Sequence, residues 1–561
     1  MKKAIAILLT ALLLLTVFVS CEGDIEDMFG KTVSFNGNGS TSGQMAEMKV
    51  KKGEEVTLPA NEFTRTDYVF AGWNTQADGS GTGYADKAKA SFDDNTVLYA
   101  QWAEELTITF NANDGSGTMD PVKVSAGVYK LPENVFTAPE GYALFVRWSE
   151  TADGEVEYEV GDELEVTKDV TLYAIWAKVL PTTPGDLNGR YTITANTPID
   201  NRFGASGTLK LYLPDGLTLN AKKGIQVTTG CTLIINKLGT DGNGTLLIDN
   251  VDDNEAGIGG ENYGEKRTAG EIIINGGTVN ATGGYGGAGI GGGYQGAGGT
   301  VTINGGTVTA TVRDSAAGIG GGYEGAGGTV TINGGIVTAI GGVLEDNYGG
   351  AGIGGGYQGA GETVTINGGT VTAKGGGFAA GIGGAYYRAG ATVIITGGTV
   401  TANGGKYAAG IGGGFNGNGG TVAINGGTVI ANGNGGGAGI GGGNDGGKGG
   451  EVTINGGTVT ATGGSANEYH GPGAGIGGGA GGDGGTVAIN GGTVTATGGS
   501  GSDSIGIGAG SNNPSHGTLE IGTRMALYGD STSPAQTKRS DATESYTGDR
   551  YRYMLAKQPG E

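Results

Sequence analysis

The chain has 561 residues, of which 126 are Gly, 12 Pro, 4 Trp, 2 His and 2 Cys, so a disulfide scaffold and a Cys-rich zinc module are excluded, and a His-based metal site or Ser/His/Asp machinery is not expected. With 33 basic against 55 acidic residues the net charge is −22, which excludes nucleic acid as a partner. Gly and Pro together approach the proportion of disordered chains, but the glycines recur at fixed spacing, and regular spacing argues for repeats.

Residues 1–20 read as a signal peptide. Lys2 and Lys3 precede an apolar run from Ala4 to Val19 that is too short to span a bilayer, and acidic residues follow it. The stretch Phe18-Val19-Ser20-Cys21 resembles a bacterial lipobox, although Phe18 stands where Leu is usual. That resemblance implies lipidation of Cys21, anchoring to the membrane by lipid, and a place in the cell envelope at the outer membrane or cell surface. Residues 21–31 then form a tether. The other cysteine, Cys231, lies in a strand-like run and reads as a packed, unpaired thiol.

A tandem duplication fills 32–103 and 106–178. Phe35 and Phe110 lie 75 residues apart, as do Trp73 and Trp148, while Trp102 and Trp176 lie 74 apart. Each copy opens and closes with an alternating run, Thr32-Val33-Ser34-Phe35 to Leu98-Tyr99-Ala100-Gln101-Trp102 in the first, which predicts half-buried strands around a tryptophan core. The stretch Phe70-Ala71-Gly72-Trp73-Asn74, with Asp78-Gly79, Tyr84 and the closing Trp102, resembles the Listeria–Bacteroides repeat, also called the internalin B-repeat. The resemblance implies β-grasp-like modules of bacterial surface proteins, spacers or contact domains without catalysis. In the second copy Arg147 replaces the glycine before the tryptophan, which predicts a weaker central turn. Residues 21–180 hold 28 acidic and 12 basic side chains, −16 of the total charge.

Residues 179–190, with Pro181 and Pro184, read as a linker. From 191 to 525 the pattern is a solenoid. The phrase Ile-Asn-Gly-Gly places Asn275, Asn304, Asn333, Asn367, Asn425, Asn455 and Asn490 at spacings near 29 residues, with Thr396 in the one remaining slot. A second phrase, Ala-Gly-Ile-Gly, keeps the same period, and insertions of five or six residues interrupt it around Leu344 and Asn467. Each unit holds two alternating runs, such as Thr300-Val301-Thr302-Ile303 and Thr307-Val308-Thr309-Ala310, and a short Gly-Ile-Gly segment. Three strands and three turns per unit predict an all-β chain whose main body is a right-handed parallel β-helix of about 29-residue coils. Residues 526–561 are expected to cap the open end or trail from it.

The phrase Ile-x-Gly-Gly-Thr-Val resembles the carbohydrate-binding, pectate-lyase-like β-helix repeats of secreted bacterial proteins. In those relatives acids beside the Gly-Ile step help to bind calcium; here the step reads Ala-Gly-Ile-Gly, so no calcium site carries over. Gly287 to Gly292 formally matches G-x-G-x-x-G, yet the pattern recurs in every coil with no helix after it, so no dinucleotide site is read and no cofactor is expected.

Stacking converts a repeated residue into a column. Tyr294, Tyr323, Tyr357, Tyr386 and Phe415 are expected to align along one edge, either as a stiffening stack or as a surface for sugar rings, and the column ends at Asn444. The Asn column reads as structural, with side-chain amides bonded along the axis. Arg313, Lys374, Arg388 and Lys406 read as solvated turn residues, and His470 and His516 as solitary surface groups. A lyase needs clustered acids and bases, and no such cluster is evident, so no catalytic residue is named. The functional expectation is a non-enzymatic adhesion, interaction or structural protein. Its partners would be a membrane through the lipid and a host or cell-surface protein. The alternative is a polysaccharide-binding protein using the aromatic column; a polysaccharide lyase comes third.

Overall fold

A computed structural model describes residues 30–249, 254–262, 267–344, 348–513, 515–522, 526–530, 538–541 and 553–557. The signal segment 1–20, Cys21 and most of the 21–31 tether lie outside the described residues. No α-helix occurs among those described; the regular elements are strands. Two compact units divide the chain, one holding both small modules up to Trp176 and the other the chain from Ala177 onward, with Tyr142–Leu144.

Both modules bring their first and last strands together in parallel. Lys31–Asn36 pairs with Thr96–Glu104, setting Phe35 opposite Leu98. Leu106–Asn111 pairs with Val170–Val179, setting Phe110 opposite Leu172. One tryptophan fills each core. Trp73 packs against Phe35, Phe63 and Phe70 with ring centroids 5.0, 6.2 and 4.9 Å away. Trp148 repeats the arrangement with Phe110, Phe136 and Phe145 at 5.3, 6.3 and 4.9 Å. Burial of one such indole contributes up to about 4–6 kcal/mol, a large share for a small module. The second tryptophan of each copy, Trp102 or Trp176, donates its indole N–H to the carbonyl of Gly37 or Ala112, both at 2.9 Å.

Gly72 has φ +136°, and the register shifts beside it where its strand meets the closing strand. Arg147 takes the equivalent place without left-handed backbone. It lies buried inside strand Leu144–Ser149, and its guanidinium reaches Glu159 at 3.1 Å. An ion pair therefore accompanies an ordinary strand conformation where the sequence pointed to a weakened turn.

The solenoid begins earlier than composition suggested. Asp186–Thr192 is a strand in parallel register with Phe203–Pro214, so the end of the stretch read as a 179–190 linker already belongs to the first coil. Its Pro and Gly content marks an extended chain, and the neighbouring coil turns that extension into a ladder strand. Beyond it three columns of parallel strands build the body. One runs through segments such as Thr300–Ile303 and Thr329–Ile332, one through Thr307–Val312 and Ile336–Ile340, and one through two-residue steps such as Ile290–Gly291 and Ile319–Gly320. Val301, Ile303, Val308, Ala310 and Ile319 are completely buried, and their equivalents in the other coils form one continuous core. Alternating Thr residues face outward, as period-two strands require. Cys231 is half-buried against that core.

Two glycines per coil are dictated by geometry. The second Gly of each Asn-Gly-Gly turn has φ close to +80°, for example Gly306 at +83° and Gly398 at +80°. The Gly of the Ile-Gly step lies near +135°, and a Cβ on Gly383 would sit 2.1 Å from the carbonyl oxygen of Gly412 in the next coil. At the far end Tyr553–Lys557 runs antiparallel to Thr493–Thr497, covering the last edge of one sheet, and Ala526–Asp530 and Lys538–Asp541 continue that cap.

The close approach at the Ile-Gly step separates two kinds of glycine. Gly446 has φ +91° with open space around it, so Gly446→Ala is expected to cost about 1–2 kcal/mol from backbone strain alone. Gly383→Ala adds a backbone collision and is expected to cost about 3 kcal/mol or more. Urea midpoints of the two variants measure the difference.

Candidate functional site

Parallel stacking sets equivalent residues of successive coils side by side, so candidate sites here are rows. The asparagine row is hydrogen-bonded in two runs, both in one direction. Asn304 donates its side-chain amide to Asn275 at 2.7 Å, Asn333 to Asn304 at 2.7 Å and Asn367 to Asn333 at 2.8 Å. The Thr396 hydroxyl donates to Asn367 at 2.9 Å, so a threonine extends the row without reversing it. Further along, Asn455 donates to Asn425 at 2.8 Å and Asn490 to Asn455 at 2.9 Å. The row starts one coil earlier than the repeat phrase indicates, because Asn275 donates to Asn236 at 2.8 Å. Asn236 sits in a longer opening strand without the Gly-Gly turn, so the phrase misses it.

The aromatic row is a stack of rings. Tyr294 and Tyr323 lie 5.1 Å apart with planes 4° from parallel, Tyr323 and Tyr357 5.3 Å apart at 34°. Tyr357 and Tyr386 are 5.7 Å apart at 14°, and Tyr386 and Phe415 5.7 Å apart at 11°. Ring faces are therefore turned toward one another along the axis, which leaves edges rather than faces for a ligand. Tyr357 is buried and the others are half-buried. Burial pushes the Tyr323, Tyr357 and Tyr386 hydroxyls up from the ordinary tyrosine range, so they stay protonated at neutral pH.

A second aromatic row, absent from the sequence expectation, interleaves with the first. Tyr348, Phe378 and Tyr407 come from the loop that precedes the Ala-Gly-Ile-Gly step, and Phe378 lies 5.8 Å from Tyr407 at 11°. Tyr348 meets both Tyr357 and Tyr386, at 4.8 and 5.3 Å. Backbone bonds draw the two loops together, as where Phe415 N–H donates to the Phe378 carbonyl at 2.9 Å. The 29-residue separation of Phe378 and Tyr407 was a legible signal. His470, expected as a solitary surface group, packs on Tyr407 at 5.0 Å and Phe415 at 6.3 Å. Where the column ends, Asn444 is completely buried and donates to the Gly435 carbonyl at 2.8 Å.

Beside the rings runs a polar row in left-handed backbone: Gln295, Glu324, Gln358, Tyr387, Asn416 and Asp445, with φ between +56° and +66°. The Arg267 guanidinium donates to Gln295, whose amide donates to Glu324, both at 2.9 Å. One carboxylate sits close by under different conditions. Asp314 is only 8% exposed, and its Oδ1 has no hydrogen-bond partner among the described residues. Burial raises its pKa above the usual aspartate range, partly offset by hydrogen bonds from Ser315. Among the described residues no three His, Cys, Asp or Glu side chains converge as a metal set would.

Sequence comparison bears on this architecture. Residues 32–101 and 107–175 match the Listeria-Bacteroides repeat domain. The two modules are Listeria–Bacteroides repeat domains. The Beta helix repeat matches seven times, at 272–294, 301–323, 330–357, 364–386, 393–415, 422–444 and 452–480. Each of these repeats reaches from the Ile-Asn-Gly-Gly strand to the ring row or its successor, so the repeat unit and the stacked rows coincide. A protein of Evansella cellulosilytica named "Putative Gly-rich membrane protein" is 30% identical over 159 residues, covering 26% of this chain and 18% of that protein. The chain thus spans less than a fifth of that relative's length. No solved structure matches the chain significantly.

Two measurements probe these rows. Asn333→Ala removes two ladder bonds and is expected to cost about 1–2 kcal/mol, and Asn333→Thr less, as Thr396 already shows a hydroxyl in that row; denaturant titration reads both. Asp314 behaves oppositely to a paired carboxylate. Its folded pKa is raised, so its contribution to stability is fully present below the ordinary aspartate pKa and is lost as pH rises through the raised value. Asp314→Asn is therefore expected to melt higher than the parent at neutral pH, with the gap closing toward about pH 3. Melting midpoints across that range check the sign.

Proposed function

We propose that this chain is exported, anchored through a lipid on Cys21, and works at the cell envelope as a non-catalytic adhesion or interaction protein. The observation that carries this reading is the repetition itself. One coil after another presents a ring, a left-handed residue that is usually polar, and an asparagine or threonine, giving rows suited to many weak parallel contacts rather than one convergent reaction centre. Listeria–Bacteroides repeats ahead of such a solenoid, and a relative whose name places it at a membrane, support the envelope location. The acidic modules, which follow the anchor in the chain, favour solubility through their charge.

Sugar recognition along the aromatic edge is the second reading. The polar row beside the rings favours it, since amides and carboxylates there can meet hydroxyls while ring edges supply apolar contact.

Cells expressing the parent chain are expected to incorporate labelled palmitate into it, to retain it in the membrane fraction and to adhere to a target surface. Cys21→Ala is expected to lose the label, enter the soluble fraction and abolish adherence. Equal label and fractionation in the two would overturn lipid anchoring, and equal adherence would overturn surface display as the working state. Release of unsaturated product from a polyuronate by the purified chain would overturn the non-catalytic assignment.

A further inference from the structure

The second aromatic row lapses after Tyr407, and a groove lies at the gap. In the coil at 433–437 the sequence Gly433-Asn434-Gly435-Gly436-Gly437 has no aromatic residue where Phe378 and Tyr407 stand in the two coils before it. Gly435 instead lies against the Tyr407 ring, which a Cβ there would meet at 2.5 Å. The next coil carries the insertion around Asn467, which arches back so that His470 reaches Tyr407. Between them lies a groove of about 540 Å³, lined by Lys406, Tyr407, Asn434, Thr462, Ser465 and Asn467 among others. That volume falls within the range of small-molecule sites.

The lining has a distinct chemistry. It contains one cation and no carboxylate, in a chain whose net charge is −22. Most of that negative charge lies in residues 21–180 and not in the solenoid. The Lys406 ammonium sits 5.1 Å from the Tyr407 ring centre and 6.0 Å from that of Phe378, with no carboxylate paired to it among the described residues. Asn467 uses its side-chain oxygen to hold the turn, accepting from the N–H groups of Tyr469 and His470 at 2.9 and 3.0 Å, which leaves its NH2 to donate elsewhere. The Asn434 amide and the Thr462 hydroxyl add neutral hydrogen-bonding groups at the wall. On the same insertion Tyr469 is 81% exposed, and unlike the stacked rings it has both faces free among the described residues.

We propose that this groove binds an acidic sugar unit of an anionic polysaccharide. Lys406 pairs with the sugar carboxylate, Asn434, Thr462 and the Asn467 amide bond its hydroxyls, and Tyr469 offers a free ring to the apolar face of an adjoining unit. This site lies at the end of the second aromatic row, whose Tyr407 lines it, and away from the Tyr294, Tyr323 and Tyr357 rings, so it stands or falls independently of adhesion through those.

Calorimetric titration of the full chain in detergent tests it, with oligogalacturonate, a hyaluronan oligosaccharide and sialyllactose as acidic probes. The methyl ester of oligogalacturonate and a cello-oligosaccharide serve as neutral ones. At least one acidic probe is expected to bind saturably and its neutral counterpart not. Lys406→Gln is expected to weaken that binding about tenfold, with Tyr469→Ala also weakening it and the melting midpoint of each unchanged. Tyr323→Ala/Tyr357→Ala is expected to leave it intact. No binding of any acidic probe overturns the proposal. So does equal binding of acid and ester, an unchanged affinity in Lys406→Gln, or full displacement by acetate or inorganic phosphate at matched ionic strength. Loss of binding only in the double tyrosine variant would move the sugar site to the aromatic row.

Discussion

The close stacking of one coil on the next at the Ile-Gly step is the constraint on which the solenoid rests. Parallel ladders hold neighbouring strands about 4.8 Å apart, and at that corner the backbones approach until a Cβ would overlap the next carbonyl. Only glycine fits, with φ near +135°, and the isoleucine beside it turns wholly into the core. Once that corner is set, the two flanking strands follow in register, Val on Val and Ile on Ile, for coil after coil. The abundance of glycine, which by proportion alone suggests disorder, is thus what makes the tightest backbone packing in the chain possible.

Register then decides what each exposed residue becomes. Asparagines at one turn polarise into two runs of side-chain bonds, and a threonine ends the first, its hydroxyl donating in the same direction. Aromatic residues at another turn lie face to face, so the solenoid consumes the surfaces a sugar ring would otherwise use. Repetition builds stiff rows, and chemistry that can select one ligand collects where repetition lapses. At 433–470 glycines and an insertion replace the rings, bringing Asn434 and Asn467 near Lys406, which has no carboxylate paired to it among the described residues, with the exposed Tyr469 on the same insertion.

The modules ahead of the solenoid are stabilised differently. Each uses a parallel pairing of its ends to enclose one fully buried tryptophan, and the two cores are nearly superposable lists of aromatic contacts. Their surfaces carry most of the chain's negative charge, while the solenoid holds long neutral rows. The negative charge is therefore denser on the modules than on the solenoid that follows them.

The sequence by itself determined the fold class of the two modules and of the solenoid, because strand alternation, the 75-residue duplication and the 29-residue period each reflect a local geometric requirement that residues state directly. It also indicated which residues form the asparagine and ring rows, since equal spacing under a solenoid implies alignment. What only the tertiary structure decided concerns contacts between different parts of a coil. The second row of Tyr348, Phe378 and Tyr407 belongs beside the first because two loops distant in one coil are bonded across coils. Lys406 is an exposed turn residue, as expected, but its ammonium stands over two rings, and His470 reaches back from an insertion to join them. Arg147 finds Glu159, and Asp186–Thr192 finds a neighbouring strand inside what composition marks as a linker. Periodicity encodes neighbours along the axis; neighbours around the coil depend on how three turns close, and no spacing in the sequence states that angle.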